Sequence, residues 1–335
     1  MVRYIVRRLL QAVLVIFVVS LITFGIFQIG PVLFGADPAY LYVGKIAKPS
    51  QVAAVRHKLG MDKPVPQQYL IFMGGIILGR DFSDGENTVH CSAPCLGYSF
   101  RYNQPVTGLI KNAFPVTLSL TIGAAILWLL IGVPIGIVSA LRRGSILDRS
   151  LMALALAGVS LPTFFLGLLL LLLFSYGPKA INWFPNPQWV PFTQDPWQWF
   201  HNLILPWFTI AITSAALYAR LTRANILEVN SEDYIRTAVA KGLPRRSVNR
   251  HSMRAALTPL ITIFGIDVAG LLAGAIVTEQ VFNLPGLGKL AVDAIQQQDL
   301  PVIMGVTILG AVFIVVANII VDVLYGVADP RVRFQ

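Results

Sequence analysis

Four histidines (His57, His90, His201 and His251) and two cysteines (Cys91 and Cys95) are the side chains best suited to nucleophilic, acid–base or metal chemistry. No two histidines stand at the spacing of an H-E-x-x-H pair, and there is no G-x-S-x-G elbow. His90-Cys91-x-x-x-Cys95 offers three ligands at most, at a spacing that matches no common zinc pattern, so no metal site is expected. A disulfide between Cys91 and Cys95 is the simpler state if they face an oxidising compartment. Gly286-Leu287-Gly288-Lys289 has the ending of a phosphate loop. However, Asn283 stands where the first glycine is required and Leu290 where a Ser or Thr is required. The segment is expected to be a turn, and the chain to hold neither an ATPase site nor any catalytic residue.

The acids inside apolar runs are more informative, because an ionisable group in hydrocarbon is costly unless it is paired or faces water. Asp267 is followed by Gly270, Gly274 and Thr278, a spacing of three and then fours that puts all four on one small, polar face of a helix. One reading is close helix packing, with Asp267 bonded to a neighbour. The other is that this face lines a water-filled path. Glu279 lies at the end of the same run.

The elements that hold these residues follow from composition. Of 335 residues, 56% are hydrophobic and only 13% charged, with mean hydropathy +0.69. An ordinary soluble domain has about 25% charged residues. This excludes a soluble enzyme, a disordered chain and a nucleic-acid-binding domain, and leaves an all-α polytopic membrane protein. Six apolar runs are expected to span: Leu9–Gly30, Ala113–Ala140, Leu151–Tyr176, Leu203–Ala219, Pro259–Phe282 and Pro301–Tyr325, with Pro162 and Pro206 interrupting or opening helices. The first is too long for the apolar region of a signal peptide and is expected to be retained.

Charge sets the orientation. The net charge is +10. With the N-terminus inside, segments 1–8, 141–150, 219–258 and 326–335 carry 16 of the 26 basic residues and five of the 16 acids. That asymmetry predicts N-in and C-in, and it explains the basic pI without nucleic acid. The outer segment between the first two helices, 31–111, is an extracytoplasmic insert. Within it, Gln51–Leu59 reads as an amphipathic helix capped by Ser50, and Gln67–Leu78 as an apolar stretch suited to the membrane surface. The inner segment 219–258 is the most polar part of the chain.

That inner segment reads Glu232-Asp-Tyr-Ile-Arg-Thr-Ala-Val-Ala-Lys-Gly242-Leu-Pro-Arg-Arg, then Asn249-Arg-His-Ser-Met-Arg-Ala-Ala-Leu-Thr-Pro259. It resembles the EAA loop of type I ABC importer permeases, and in particular the dipeptide/oligopeptide group. The matching positions are Tyr234, Arg236, Thr237, Ala238, Ala240, Lys241, Gly242, Arg254, Ala256 and Pro259. The resemblance runs nearly end to end. It includes Arg3-Tyr4 with Arg7-Arg8-Leu9-Leu10, Leu59-Gly60-Met61-Asp62-Lys63-Pro64, Glu279-x-x-Phe-x-x-Pro-Gly-Leu-Gly288 and Asp322-x-x-Tyr-x-x-x-Asp-Pro-Arg331. Residues 84–98 look like an insertion relative to the family, Pro31 to Pro38 carries extra residues, and Asp267 departs from its pattern.

The resemblance implies the type I importer permease fold. Residues 1–30 would form the N-terminal tail and first helix, 112–325 the transmembrane core with its coupling loop at 219–258, and 326–335 a cytoplasmic tail. It implies the first of two homologous permease subunits in the plasma or inner membrane, in contact with lipid. Two cytosolic ATPases would use ATP and magnesium, so that this chain binds no cofactor, and an extracytoplasmic binding protein would deliver peptides. Tyr234, Arg236, Thr237, Ala238, Lys241, Gly242, Leu243 and Arg246 would form the ATPase-coupling element. Asp233–Lys241 would be a helix, Gly242 its left-handed terminus, and Arg246–Ala256 a second helix. The rival is a secondary transporter driven by an ion gradient, with Asp267 or Glu279 as the ion site. Its usual inverted repeats and paired broken helices are not visible in the sequence.

Overall fold

The computed structural model describes residues 2–30, 61–83, 88–176 and 183–328, with the isolated positions 39, 50, 52, 53 and 56. In chain order, helix α1 (Val2–Phe24) runs on into a π turn, Gly25–Ile29, and α2 covers Val65–Leu78. Four short strands follow: β1 (Arg80–Ser83), β2 (Thr88–Cys91), β3 (Tyr98–Ser99) and β4 (Gln104–Pro105). The remaining elements are helices. The long helices are α3 (Val106–Leu141), α4 (Ile146–Ser160), α5 (Thr163–Phe174) and α6 (Pro196–Val229). They are followed by α7 (Asp233–Ala240), α8 (Arg245–Leu272), α9 (Ile276–Val281), α10 (Leu287–Gln297) and α11 (Leu300–Ala328).

Among the described residues, Val6–Phe27, α3, α6, α8 and Leu300–Val321 are each long and apolar enough to cross a membrane. A sixth span exists if α4 and α5 count as one, although they meet at 99°. The run expected over Leu151–Tyr176 is therefore two helices, divided at the proline expected to interrupt it. Pro162 disfavours the helical conformation at Leu161, which is extended (φ −84°, ψ 126°), and a new helix starts after it.

Three other expectations change. The 219–258 segment is mostly helix, because α6 continues to Val229 and α8 already begins at Arg245. The second coupling helix and the fifth span are thus one helix running through Pro259. There the Thr258 hydroxyl donates to the Arg254 carbonyl at 3.0 Å. Gly288 and Lys289 lie in the first turn of α10 and are not in a turn; Gly286 caps that helix. The expected helix at 51–59 and the tail motif beyond Ala328 fall almost wholly outside the described residues, as do 31–38.

The chain forms two compact units. The first holds residues 1–116 and 285–316. Val106, Ile110, Ala113, Leu287, Ala294, Val302 and Val306 form its main apolar core. A second cluster joins Phe24 and Tyr69 to Met304, and the Tyr69 hydroxyl meets Ser20 Oγ at 2.8 Å. The β1–β2 hairpin is antiparallel, with Arg80 opposite Cys91 and Asp81 opposite His90. Cys91 and Cys95 are joined as a disulfide and buried with Phe82 and Tyr98.

The second unit holds 117–284 and 317–335. Helix α6 runs through its interior, and glycines on α3 let it come close. A Cβ at Gly132 would sit 2.6 Å from the Ala215 carbonyl oxygen, and one at Gly136 the same distance from that of Ala219. Trp128 and Tyr218 are fully buried, with rings 5.9 Å apart, and Phe264 of α8 meets Trp128 edge-on.

Candidate coupling element and intramembrane carboxylate

Helix α7 is amphipathic and short. Ile235 is its buried anchor, while Tyr234 and Val239 stand 51% and 60% exposed. Arg236, Thr237, Lys241 and Arg246 are also exposed, and Ala238 is half-buried. Thr237 Oγ1 donates to the Asp233 carbonyl at 2.8 Å, and Arg236 approaches Asp233 at 3.6 Å. The helix closes with Gly242 N–H on the Val239 carbonyl and Leu243 N–H on that of Ala238, and Gly242 takes φ +74°. That conformation is costly for residues with a Cβ and free for glycine. Pro244 then caps α8. The base of this element is tied to α6: Ser252 Oγ donates to Asn230 Oδ1 at 2.6 Å, and Asn225 Nδ2 to the Ala256 carbonyl at 3.2 Å. Between α7 and α8 an open groove is lined by Tyr234, Ala238, Leu243, His251, Arg254 and Thr258.

A buried charge pair near the same end of α6 escaped the sequence reading. Arg223 donates Nε and Nη2 to the two carboxylate oxygens of Asp148 at 2.8 and 2.9 Å. Ser139 Oγ and the Gly144 N–H also donate to that carboxylate. This two-point geometry satisfies a carboxylate that is almost fully buried. The residues are up to 75 apart in sequence, so no local spacing signals the pair.

Asp267 is half-buried on α8, and the Tyr218 hydroxyl donates to its Oδ2 at 2.8 Å. The four-residue face expected around it is broken. Helix α8 ends at Leu272, Gly274 has φ +140°, and Thr278 belongs to α9. Asp267 and Gly270 share a helix; Gly274 and Thr278 do not continue it. Glu279 is fully buried and accepts from Thr117 Oγ1 at 2.7 Å. The histidines are spread out. His90 contacts Asp81 at 2.5 Å, His201 stacks on Trp197, and His251 lines the α7–α8 groove. His57 lies outside the described residues.

Residues 132–334 match the family of binding-protein-dependent transport system inner membrane components. Residues 1–121 match the N-terminal region of the membrane components of such systems. The chain belongs to this permease family. A Brucella abortus protein is 39% identical over 332 residues, covering 99% of each chain. The di/tripeptide transport system permease protein DppB of Pseudomonas aeruginosa is 36% identical over 357 residues, and the oligopeptide transport system permease protein AppB of Bacillus subtilis 36% over 342. Both alignments cover all of both chains.

This permease is therefore a non-catalytic, multi-pass inner-membrane component of a transport system that depends on a binding protein. Membership replaces the ion-gradient reading of Asp267 and Glu279 with a permease of an ABC system. The buried Glu279–Thr117 bond is a packing contact within the second unit.

Proposed function

We propose that this permease is the first of two homologous subunits that together form the translocation path of an ATP-driven peptide importer. Two cytosolic ATPases dock on the α7–Gly242–α8 element and on its counterpart in the second subunit. They bind and hydrolyse ATP with magnesium, while this chain binds no cofactor. An extracytoplasmic binding protein delivers the peptide to the outer side, next to the 31–111 insert. The path alternates between outward and inward access as the ATPases close and open. The core 112–325 crosses the membrane, both termini (the N-terminal tail within 1–30 and the tail 326–335) are cytoplasmic, and lipid surrounds the whole.

The observation that carries this reading is the helix–turn–helix at 232–257, whose apolar Tyr234, Val239 and Leu243 are exposed among the described residues yet sit on a firmly tied base. Tyr234, Arg236, Thr237, Ala238, Lys241, Gly242, Leu243 and Arg246 make the docking face. Peptide as substrate rests on the names of the full-length relatives in Pseudomonas and Bacillus. Asp267 and Gly270 line the path, with Gly274 at the helix break, whereas Thr278 is buried within the chain and lies off it.

The test is reconstitution with the second permease, the ATPases and the binding protein. Uptake of a labelled di- or tripeptide should require all components and ATP. Uptake that persists without the ATPases, driven by an ion gradient, would sink the proposal.

A further inference from the structure

On the path side of the peptide-importer reading, which this inference rests on and deepens, Asp267 has no countercharge among the described residues. Its Oδ2 is held by the Tyr218 hydroxyl, a neutral donor that orients the carboxylate without neutralising it. Among the described residues no Lys, Arg or His pairs with it. Tyr218 is itself fixed against Trp128, so the carboxylate is aimed by a rigid aromatic pair.

Two faces of α8 are occupied. Phe264 packs on Trp128, and a Cβ at Gly265 would overlap Val321 of α11. The face beside Asp267 is open: Ile266 is 55% exposed, and a Cβ at Gly270, one turn on, would meet nothing within 4 Å. Lipid covers an ionised carboxylate only at a large penalty. An ionised Asp267 therefore requires water, a solute or another protein on that face.

The second observation is the helix end. Helix α8 stops at Leu272 inside the apolar run, broken by Gly274 at φ +140°. A helix C-terminus carries a partial negative charge, and such broken helices in transporters place that charge at cation sites. Leu272 is about 7.5 Å along the axis from Asp267 at the helical rise per residue. Carboxylate and helix end thus add negative potential along the same stretch of α8.

We propose that Asp267 and the C-terminal end of α8 form a transient subsite for an ammonium group of the passing solute, the amino terminus of a peptide or a lysine side chain. The site is weak by construction, with a single carboxylate and no enclosing cage. A translocation path needs weak sites, because a tight one would stall release.

The experiment uses the assembled transporter in nanodiscs with the binding protein omitted, so that the binding protein's own selectivity does not enter. Equilibrium binding of a tripeptide with a free amino terminus is compared for the unmodified complex, Asp267→Asn and Asp267→Glu. Asp267→Asn should weaken binding tenfold or more, and Asp267→Glu should stay within about threefold. Tyr218→Phe keeps the charge but frees the carboxylate, and should weaken binding less than Asp267→Asn does. N-acetylation of a lysine-free tripeptide should remove the difference between parent and Asn variant. If an N-acetylated peptide with one lysine restores it, the side-chain ammonium is the ligand.

Equal affinity in parent and Asp267→Asn overturns the subsite, as does a difference that survives N-acetylation of the lysine-free peptide. So does the absence of any peptide binding to the parent complex. Loss of subunit co-purification in Asp267→Asn, with unchanged binding per assembled complex, assigns the carboxylate to a cation of the second permease instead. ATP-dependent uptake by the parent in the same preparation reports the importer reading separately: if uptake stands and the binding arms fail, only the subsite is lost.

Discussion

Asp299 is a buried carboxylate at the junction of α10 and α11. Ser99 Oγ donates to it from β3, and Asp299 N–H closes on the Ala294 carbonyl. Burial pushes its carboxyl above the usual range; the bonds from Ser99 and the Val302 backbone and the charge of Arg101 pull the other way without cancelling it. A raised carboxylate pKa means that the folded state holds the proton more tightly than the unfolded chain. Its contribution is fully present below the unfolded value and is lost as pH rises through the folded one. Asp299→Asn keeps an acceptor for Ser99 but removes the charge. It should raise the melting temperature of the purified complex by a few degrees at pH 8 and by less at pH 5. An equal shift at both values would show that charge burial is not the cause. Residues of this kind are invisible in a linear reading. Asp299 and Ser99 are 200 positions apart, Tyr218 and Asp267 are 49 apart, and the Asp148–Arg223 pair spans 75. The sequence marks Asp267 as costly, because an acid in an apolar run is rare. It says nothing of the tyrosine that holds it.

At the scale of elements, local chemistry was legible wherever the chain punctuates itself. Gly242 followed by Leu243-Pro244 announces one helix ending and another beginning, and α7 and α8 are found there. Pro162 was legible as an interruption, but the 99° turn it makes between α4 and α5 and the break after α8 were not read, because hydropathy averages over a run and is blind to direction. A single Pro162 or Gly274 redirects the backbone without changing the mean. Gly242 allows two causes to be separated. A Cβ there would meet nothing within 4 Å in this chain, so any cost within the subunit is backbone strain at φ +74° and not a clash. That strain is about 1 kcal/mol for an ordinary residue, more for a β-branched one and less for Asn. Gly242→Val should therefore insert normally but weaken ATPase co-purification or uncouple hydrolysis from uptake, whereas Gly242→Asn should keep most of both. If Asn fails as badly as Val, room for the docked ATPase is the constraint instead of φ. If both match the parent in assembly, stimulated hydrolysis and uptake, the coupling assignment is wrong.

For the whole molecule the open question is sidedness, and the α4–α5 bend decides it. Six crossings with the N-terminus inside put 88–95 and 183–195 outside and 230–244 inside, with the C-terminus inside as well. If the α4–α5 pair, bent by 99°, dips in and returns, only five helices cross. Then 183–195 falls inside, 230–244 outside, and the C-terminus outside. Charge favours six, because the eight basic residues of 219–258 would otherwise be translocated against the usual bias. Single cysteines at three exposed positions separate the schemes: Ser92→Cys, Gln194→Cys and Ser231→Cys. The parent chain serves as the blank, since Cys91 and Cys95 are disulfide-linked and should take no maleimide without reductant. A membrane-impermeant maleimide added to intact cells or spheroplasts should label the variants at 92 and 194, and the one at 231 only after the membrane is opened. Labelling at 231 but not at 194 in intact cells would establish five crossings. It would also remove the α7–α8 element from the cytosol, and with it the ATPase docking face. Labelling of the parent itself would show that the disulfide does not form in the cell envelope, and the outer placement of 88–95 would then rest on the variant at 92 alone.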